Sequence, residues 1–333
     1  LNITATASEA TDTDILAGIR NGTWLDTQTF PPLQYAVDGI VSEGLSIIAG
    51  PPKVGKSWFV ANIALAVASG GRALGRIPVN QRPVFYLALE DGHRRLQDRF
   101  RQIMAGNPLP DGLNYVIKAH SYEVIPMITE FLTRHPGTAP LVILDTFGKI
   151  KPRRRPGDDP YQLDYALGTA LKDAIENQPG ASLSVVHHTR KAESADFVDS
   201  VSGTHGIVGA ADSVLTLNRK RHQTNGILAV TGRDIQEAEY ALTTTDGIWI
   251  LDGTDLITAN AAAQTRREEG QLADRSTEIL TIVNNRHTEE LVTVAADIAE
   301  KIGIDQNQAS IYLGRLAKSG RIGKLSRGVY RGA

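Results

Sequence analysis

The sequence predicts an α/β fold: a mainly parallel sheet covered by helices on both faces, followed by a small helical domain with a basic tail. Three observations predict it. Short apolar, β-rich runs alternate with helical patterns as far as residue 230, as strands buried on both faces require. A glycine-bearing loop joins an early run to a helix, and beyond residue 271 the pattern changes to three short helices and a Gly/Arg/Lys-rich end.

Residues 1–32 are polar, with a helical pattern over Thr13 to Arg20, then Trp24, Leu25 and a Phe30-Pro31-Pro32 break. This N-terminal arm either packs on its own domain or reaches a neighbouring subunit. The main domain spans 33–258. Its apolar runs are Leu45 to Ala49, Pro83 to Leu89, Leu141 to Leu144, Ser182 to Val186, Ser213 to Leu217 and Ile227 to Val230. Helices are expected over Ser57 to Ala68, Gly92 to Met104, Tyr122 to Thr133 and Leu163 to Asn177. The late strands are crowded between turns, so a meander extending the sheet is expected. Residues 259–271 are small and charged, as a linker would be. The last domain, 272–333, has helical patterns over Asp274 to Asn284, Val294 to Ile302 and Asn307 to Ser319; Thr293 and Asp305 stand where caps belong, and Gly303 where a helix stops.

Composition narrows the chemistry. The formal charge of −2 leaves no global basic field, so contact with nucleic acid has to come from local patches. With no cysteine there is no disulfide framework, thiolate metal site or thiol nucleophile. No apolar run approaches the ~18 residues of a membrane span, and the polar start lacks the features of a signal peptide. A soluble, cytoplasmic protein without a membrane partner is expected.

The run GPPKVGKS directly follows the apolar Leu45 to Ala49. It is the G-x-x-x-x-G-K-S phosphate-binding loop, set between strand and helix as the motif requires. Its backbone amides curl around phosphate oxygens, Lys56 reaches the terminal phosphates, and the Ser57 hydroxyl can bind Mg²⁺. Gly50, Pro51, Pro52, Lys53, Val54, Gly55, Lys56, Ser57 and the adjoining Trp58 form the nucleotide-binding set, with ATP as ligand. A second strand must deliver a carboxylate to the metal, and LVILD places Asp145 at such a strand end, which is also an ordinary place for a turn residue. Hydrolysis needs a group to activate water. VFYLALED ends in Glu90 and Asp91; Glu90 is read as the catalytic base and Asp91 as the cap of the following helix. SLSVVHH ends in His187-His188, which places His188 near the γ-phosphate ahead of a polar loop that begins with Arg190 and Lys191. That loop is either a solvated connector or a nucleic-acid contact. Arg233 follows ILAVTG, either as a surface ion pair or as an arginine that enters a neighbouring subunit's site.

In their order, GPPKVGKS, LALED, LVILDT, VVHHTRK, SGTHGIVGAAD and TGRD resemble the RecA-like ATPases of the hexameric replicative-helicase group, especially the plasmid RepA type. The resemblance covers residues 33 to 258. It implies a RecA-like P-loop NTPase core that uses ATP and Mg²⁺, with Glu90 as base, Asp145 as Walker B acid, His188 as sensor and Arg233 as finger in trans. Arg219 and Arg221 are the alternatives for that finger. It further implies a homo-oligomer, a hexamer, holding single-stranded DNA in its pore. Arg153, Arg154 and Arg155 form another basic run, by default a solvated face and alternatively a DNA loop of the central pore.

Residues 272–333 depart from that family and resemble a winged helix-turn-helix domain. Asn307, Gln308, Ser310, Tyr312 and Arg315 fall on the expected recognition helix, and Arg321, Lys324, Arg327 and Arg331 on the wing. Such a domain reads duplex DNA with the helix and holds phosphate with the wing, or docks a protein. The function expected is an ATP-driven helicase or translocase in replication of a plasmid, phage or integrated element. An ATP-switched DNA-binding regulator or helicase loader is the alternative.

Overall fold

The computed structural model describes residues 16–152, 155–189 and 205–332. The chain divides into two compact units, Leu1–Leu33 and Gln34–Ala333. In the first, the expected helix over Thr13 to Arg20 begins outside the described residues, and its remainder is a turn. The helix there is α1, Gly22–Asp26, where the Asn21 side chain accepts from the Trp24 N–H at 2.8 Å.

The second unit opens with the hairpin β1 (Tyr35–Val37) and β2 (Val41–Ser42), then β3 (Gly44–Gly50) and α2 (Lys56–Ser69). The short pair β4 (Arg72–Ala73) and β5 (Ile77–Pro78) precedes β6 (Val84–Ala88), α3 (His93–Met104), β7 (Leu113–Val116) and α4 (Ser121–Arg134). Next come β8 (Leu141–Asp145), α5 (Pro160–Glu176), β9 (Ser182–His188) and α6 (His205–Ala210). The sheet is completed by β10 (Ser213–Arg219), β11 (Asn225–Gly232), β12 (Ala238–Thr245) and β13 (Ile248–Leu251).

These strands form one nine-stranded sheet in the order β13-β12-β11-β10-β3-β9-β8-β6-β7. From β10 to β7 every pairing is parallel, and from β10 to β13 every pairing is antiparallel. The two halves follow from their connections: helices cross back between the parallel strands, whereas the late strands are joined by turns too short for a crossover. Both faces are buried. One carries α2, whose Phe59, Ile63 and Val67 pack with Ile48, Leu215 and Trp249, and the other carries Ile47, Leu144, Leu171 and Ile175. Because β3, β9, β8 and β6 run the same way, their carboxyl ends share one edge.

The segment expected as a linker, 259–271, is instead the first half of α7 (Leu256–Thr288), a 33-residue helix. Asp255 caps it by accepting from the Thr258 N–H at 2.8 Å, and the alanine-rich start favours helix. Small side chains at Ala259 and Ala263 let it lie close to the sheet, where both are fully buried. Asn260 donates to the Glu239 carbonyl at 2.9 Å, and Arg266 donates to the carbonyls of Gly226 and Leu242, each at 3.1 Å, and pairs with Asp252. The single Gly270 costs about 1 kcal/mol of helix propensity, too little to break a helix so held.

The chain ends in β14 (Thr293–Val294), α8 (Ala295–Ile302), α9 (Gln306–Lys318), β15 (Ile322–Ser326) and β16 (Val329–Gly332). The three strands pair in the order β14-β16-β15. Ile279 and Val283 of α7 share a core with Ile298, Leu313, Leu316 and Tyr330. Thr293 is no cap: it is fully buried in β14 opposite Tyr330, and Asp297 accepts from the Val294 N–H at 2.9 Å. Asp305 does cap α9, accepting from the N–H groups of Asn307 and Gln308 at 2.8 and 3.3 Å. Gly303 ends α8 with φ +67°, the left-handed conformation of a helix stop.

Candidate nucleotide site

The carboxyl edge of the parallel strands gathers Lys56, Ser57, Asp145, Glu90 and His188. β3 ends at Gly50 and α2 begins at Lys56, with the loop between them. Gly55 takes φ +110°, and a Cβ there would lie 3.1 Å from the Trp249 ring. Only glycine combines that backbone with that contact. Trp249 also donates from its indole N–H to the Gly55 carbonyl at 3.3 Å.

Lys56 is buried, and its ammonium donates to the carbonyls of Gly50 at 2.6 Å and Pro51 at 3.0 Å. Burial pulls its pKa down from 10.5 to about 8, against the opposing pull of Asp145 and Glu90. The ammonium therefore stays largely charged at neutral pH. Asp145 ends β8, is buried, and accepts hydrogen bonds from the Tyr86 hydroxyl at 3.0 Å and from Ser57. Burial raises its pKa, and the two hydroxyl bonds partly offset this. A serine hydroxyl touching a carboxylate is a hard oxygen pair that fits Mg²⁺, a cation that takes its other positions from water and substrate phosphate. Among the described residues no cluster of three or more acidic or histidine side chains offers a different metal site.

Glu90 lies just beyond β6 with its side chain 45% exposed, and its carboxylate is 3.8 Å from His188 Nε2. His188 stands opposite Gly50 in the β3–β9 register, so it adjoins the phosphate loop. His187 faces the other way, buried against Phe147, and burial lowers its pKa to about 4. The expectation that Asp91 caps α3 fails. The N-cap is Gly92, without a side-chain bond, and Asp91 instead pairs with Arg99 at 2.6 Å and Arg95 at 3.4 Å.

Arg233 lies at the opposite edge. Its N–H donates to the Asp212 carbonyl at 2.9 Å, and the Asp212 N–H donates to the carbonyl of Leu45, near the start of β3. The seven residues of β3 therefore separate Arg233 from its own phosphate loop by about 20 Å. Arg219 is committed in cis: it donates to the Val54 carbonyl at 3.2 Å and the Gln223 carbonyl at 2.8 Å and stands over Trp249. Arg221 is exposed.

Arg153, Arg154, Arg190 and Lys191 lie outside the described residues, and Arg155 is exposed. On α9 and the strands that follow, Asn307, Gln308, Ser310, Arg315, Arg321, Lys324, Arg327 and Arg331 are exposed. Tyr312 lies on α9, as expected, with its ring buried in the core beside Leu313 and Leu316.

Sequence reasoning missed Tyr86, Trp249 and a cavity, and read Arg219 only as an alternative finger. Tyr86 carried a signal, since a hydroxyl-bearing ring inside an aliphatic strand needs a partner. The others depend on the β10–β13 meander folding back over the loop, which no local pattern states. The cavity, about 570 Å³, opens on the β10 side of the loop and is lined by Pro51, Arg219, Gln223, Ile227 and Arg266.

Fold and site together define a P-loop nucleotide-binding protein of the α/β class. The family described as AAA domain, AAA_25, matches residues 21–194, over half of the chain, and the chain belongs to that family. No curated protein matches. Among solved structures, an isolated ATPase domain is 12% identical with a TM-score of 0.50, over 62% of this chain and 84% of that one. A DnaB-like replicative helicase studied with primase is 13% identical, TM-score 0.49, over 62% and 57% of the two chains. A KaiC-like protein from Pyrococcus horikoshii OT3 is 14% identical, TM-score 0.46, over 67% and 100%. The likeness to the first of these, the ATPase domain, shows a shared RecA-like fold, with its mixed, mostly parallel sheet. Among the described residues no helix is long and apolar enough to cross a membrane.

Proposed function

We propose that the chain is an oligomeric, ATP-hydrolysing DNA helicase or translocase of the RepA type. One observation carries the reading: Lys56, Ser57, Asp145, Glu90 and His188, which come from four separate stretches of sequence, meet at one sheet edge. Lys56 holds the terminal phosphates of ATP as a point charge. Ser57 and Asp145 would hold Mg²⁺, which neutralises phosphate charge. Glu90, exposed beside His188, takes the proton of the attacking water, and His188 relays the state of the γ-phosphate to the chain that follows β9. These groups lie on the β9 side of the loop, so the nucleoside half of ATP leaves on the β10 side, into the cavity between Pro51 and Arg266.

Arg233 is too far from its own loop to act in cis and lies 3.9 Å from Asp212 as an exposed ion pair; the family resemblance is what supports a finger that reaches a neighbour's nucleotide in a hexamer. Single-stranded DNA runs through the pore past Arg153, Arg154, Arg155, Arg190 and Lys191. Mixing Arg233→Ala with Lys56→Ala chains should restore some ATP hydrolysis, because one interface can then combine an intact loop with an intact arginine. No recovery in verified mixed assemblies would count against the finger.

The C-terminal segment favours a second reading, an ATP-switched DNA-binding regulator or loader. α8, α9 and the three-stranded sheet support a winged helix, with Asn307, Gln308 and Arg315 reading duplex DNA and Lys324 and Arg327 holding phosphate. Duplex unwinding with ATP, assayed beside stimulation of ATPase activity by single-stranded DNA, decides between the two. ATP-dependent DNA binding without unwinding would select the regulator.

A further inference from the structure

Arg99 belongs to none of the motifs above, yet it joins two of them. Its guanidinium donates to Asp91 at 2.6 Å, with the two side chains only 9% and 7% exposed, and stands over the Trp58 ring at 5.3 Å. Asp91 adjoins Glu90, and Trp58 adjoins Ser57. One buried cation therefore ties the turn bearing the proposed base to the first turn of the helix that bears Lys56 and Ser57.

The surroundings make this tie stiff. Gly247, in the turn between β12 and β13, closes directly onto the Trp58 ring and has no room for a Cβ. Asn62 donates to the carbonyls of Trp58 at 2.7 Å and Gly247 at 3.2 Å, and Gln102, on α3 with Arg99, donates to the Asp246 carbonyl at 2.7 Å. The Glu90 carboxylate has looser support, with His188 at 3.8 Å. The direction of its side chain is set by its turn, where Leu89 N–H donates to the Asp145 carbonyl at 2.8 Å and Asp91 N–H to that of Ala88 at 3.1 Å. The Arg99–Asp91 pair is a poor device for stability alone. Buried ion pairs are often matched by apolar residues of the same volume, and Arg99 Nε is buried without a hydrogen-bond partner.

We propose that Arg99 is a positioning residue for ATP hydrolysis: through Asp91 and Trp58 it fixes the Glu90 carboxylate relative to the phosphate loop. The proposal rests on Glu90 being the base. It predicts that loosening the tie lowers turnover while ATP binding persists, because the loop residues that hold phosphate are untouched.

The test is MgATP hydrolysis by the full chain as Arg99→Lys, as the apolar double variant Asp91→Leu/Arg99→Met, as Glu90→Gln, and as Glu90→Gln/Arg99→Lys. Melting and binding of a non-hydrolysable ATP analogue are followed alongside. Lysine keeps the charge but loses the fork and the flat face, so kcat should fall by about tenfold or more with KM within about twofold. The double variant should melt near the wild type, bind the analogue, and show the same loss of kcat. In the Glu90→Gln background, Arg99→Lys should change the residual rate by less than about twofold, since it acts through a carboxylate already removed.

A folded double variant with wild-type kcat, or full additivity with Glu90→Gln, overturns the proposal. If the double variant does not fold, Arg99→Lys and its cycle with Glu90→Gln decide alone. Wild-type turnover by Glu90→Gln would remove the base reading and this proposal together. An inactive Glu90→Gln beside fully active Arg99 variants would remove only the positioning role.

Discussion

Replacing Lys56 by methionine should stabilise the free protein while abolishing tight ATP binding. The buried ammonium has a pKa of about 8 in the fold against an ordinary 10.5. The unfolded chain therefore holds this proton more tightly, and at pH 7 the difference amounts to about 3 kcal/mol set against folding. The sign fixes the pH dependence. Between about pH 8 and pH 10.5 the unfolded state binds more proton than the folded state, so this contribution makes stability rise with pH there. Integrated from about pH 7 to about pH 9.5, the gain is about 2 kcal/mol. Lys56→Met keeps most of the side-chain length and has nothing to titrate, so the stability gap between variant and wild type should close by about that amount over the same interval. Urea denaturation without nucleotide, at half-unit steps of pH, measures it. Parallel curves for the two proteins would show that Lys56 is not held at a depressed pKa.

Three further outcomes are expected. Tyr86→Phe removes one of the two hydroxyls on buried Asp145 and should cost about 1–3 kcal/mol in urea denaturation; an unchanged midpoint would mean the bond contributes nothing. His187 has its pKa lowered to about 4 from 6.5, so the unfolded state binds more proton between those values and stability should fall as pH drops from 6.5 towards 4. His187→Asn should flatten that dependence, and an unaltered acid limb would place its origin elsewhere. Tyr312→Ala deletes a buried ring from the C-terminal core and should cost about 3–5 kcal/mol there, read as lost protection of α9 amides in hydrogen exchange; unchanged protection would contradict its burial.

Much of the phosphate site was legible because its logic is local. A strand, a glycine-bearing turn and a helix start are consecutive in sequence, and so are an apolar run and the acid that ends it. Asp145, Glu90 and His188 could be placed for the same reason: parallel strands deliver their carboxyl ends to one edge. Asp91 was misread because its partner Arg99 lies eight residues on, and at a helix start a cap and an ion pair look alike in sequence. That the Tyr312 ring is buried is not legible locally, because the face a helix buries depends on what packs against it. The supposed linker failed similarly: small and charged residues suit a loop or an exposed helix, and the choice was made by Asp255 and by the contacts of Ala259, Ala263 and Arg266 with the sheet.

The sequence by itself determined the α/β class, the phosphate loop and the acids that end the strands, because strand period, turn chemistry and helix start are properties of adjacent residues. Only the tertiary structure decided that the expected β10–β13 meander brings Trp249 onto the loop, that Arg219 braces Val54 while Arg233 faces the far edge, and that α7 runs unbroken from the sheet into the C-terminal core. Those outcomes depend on strand order and on side chains far apart in the chain. Their free energy comes from burial and pairing across the fold, which no window of adjacent residues contains.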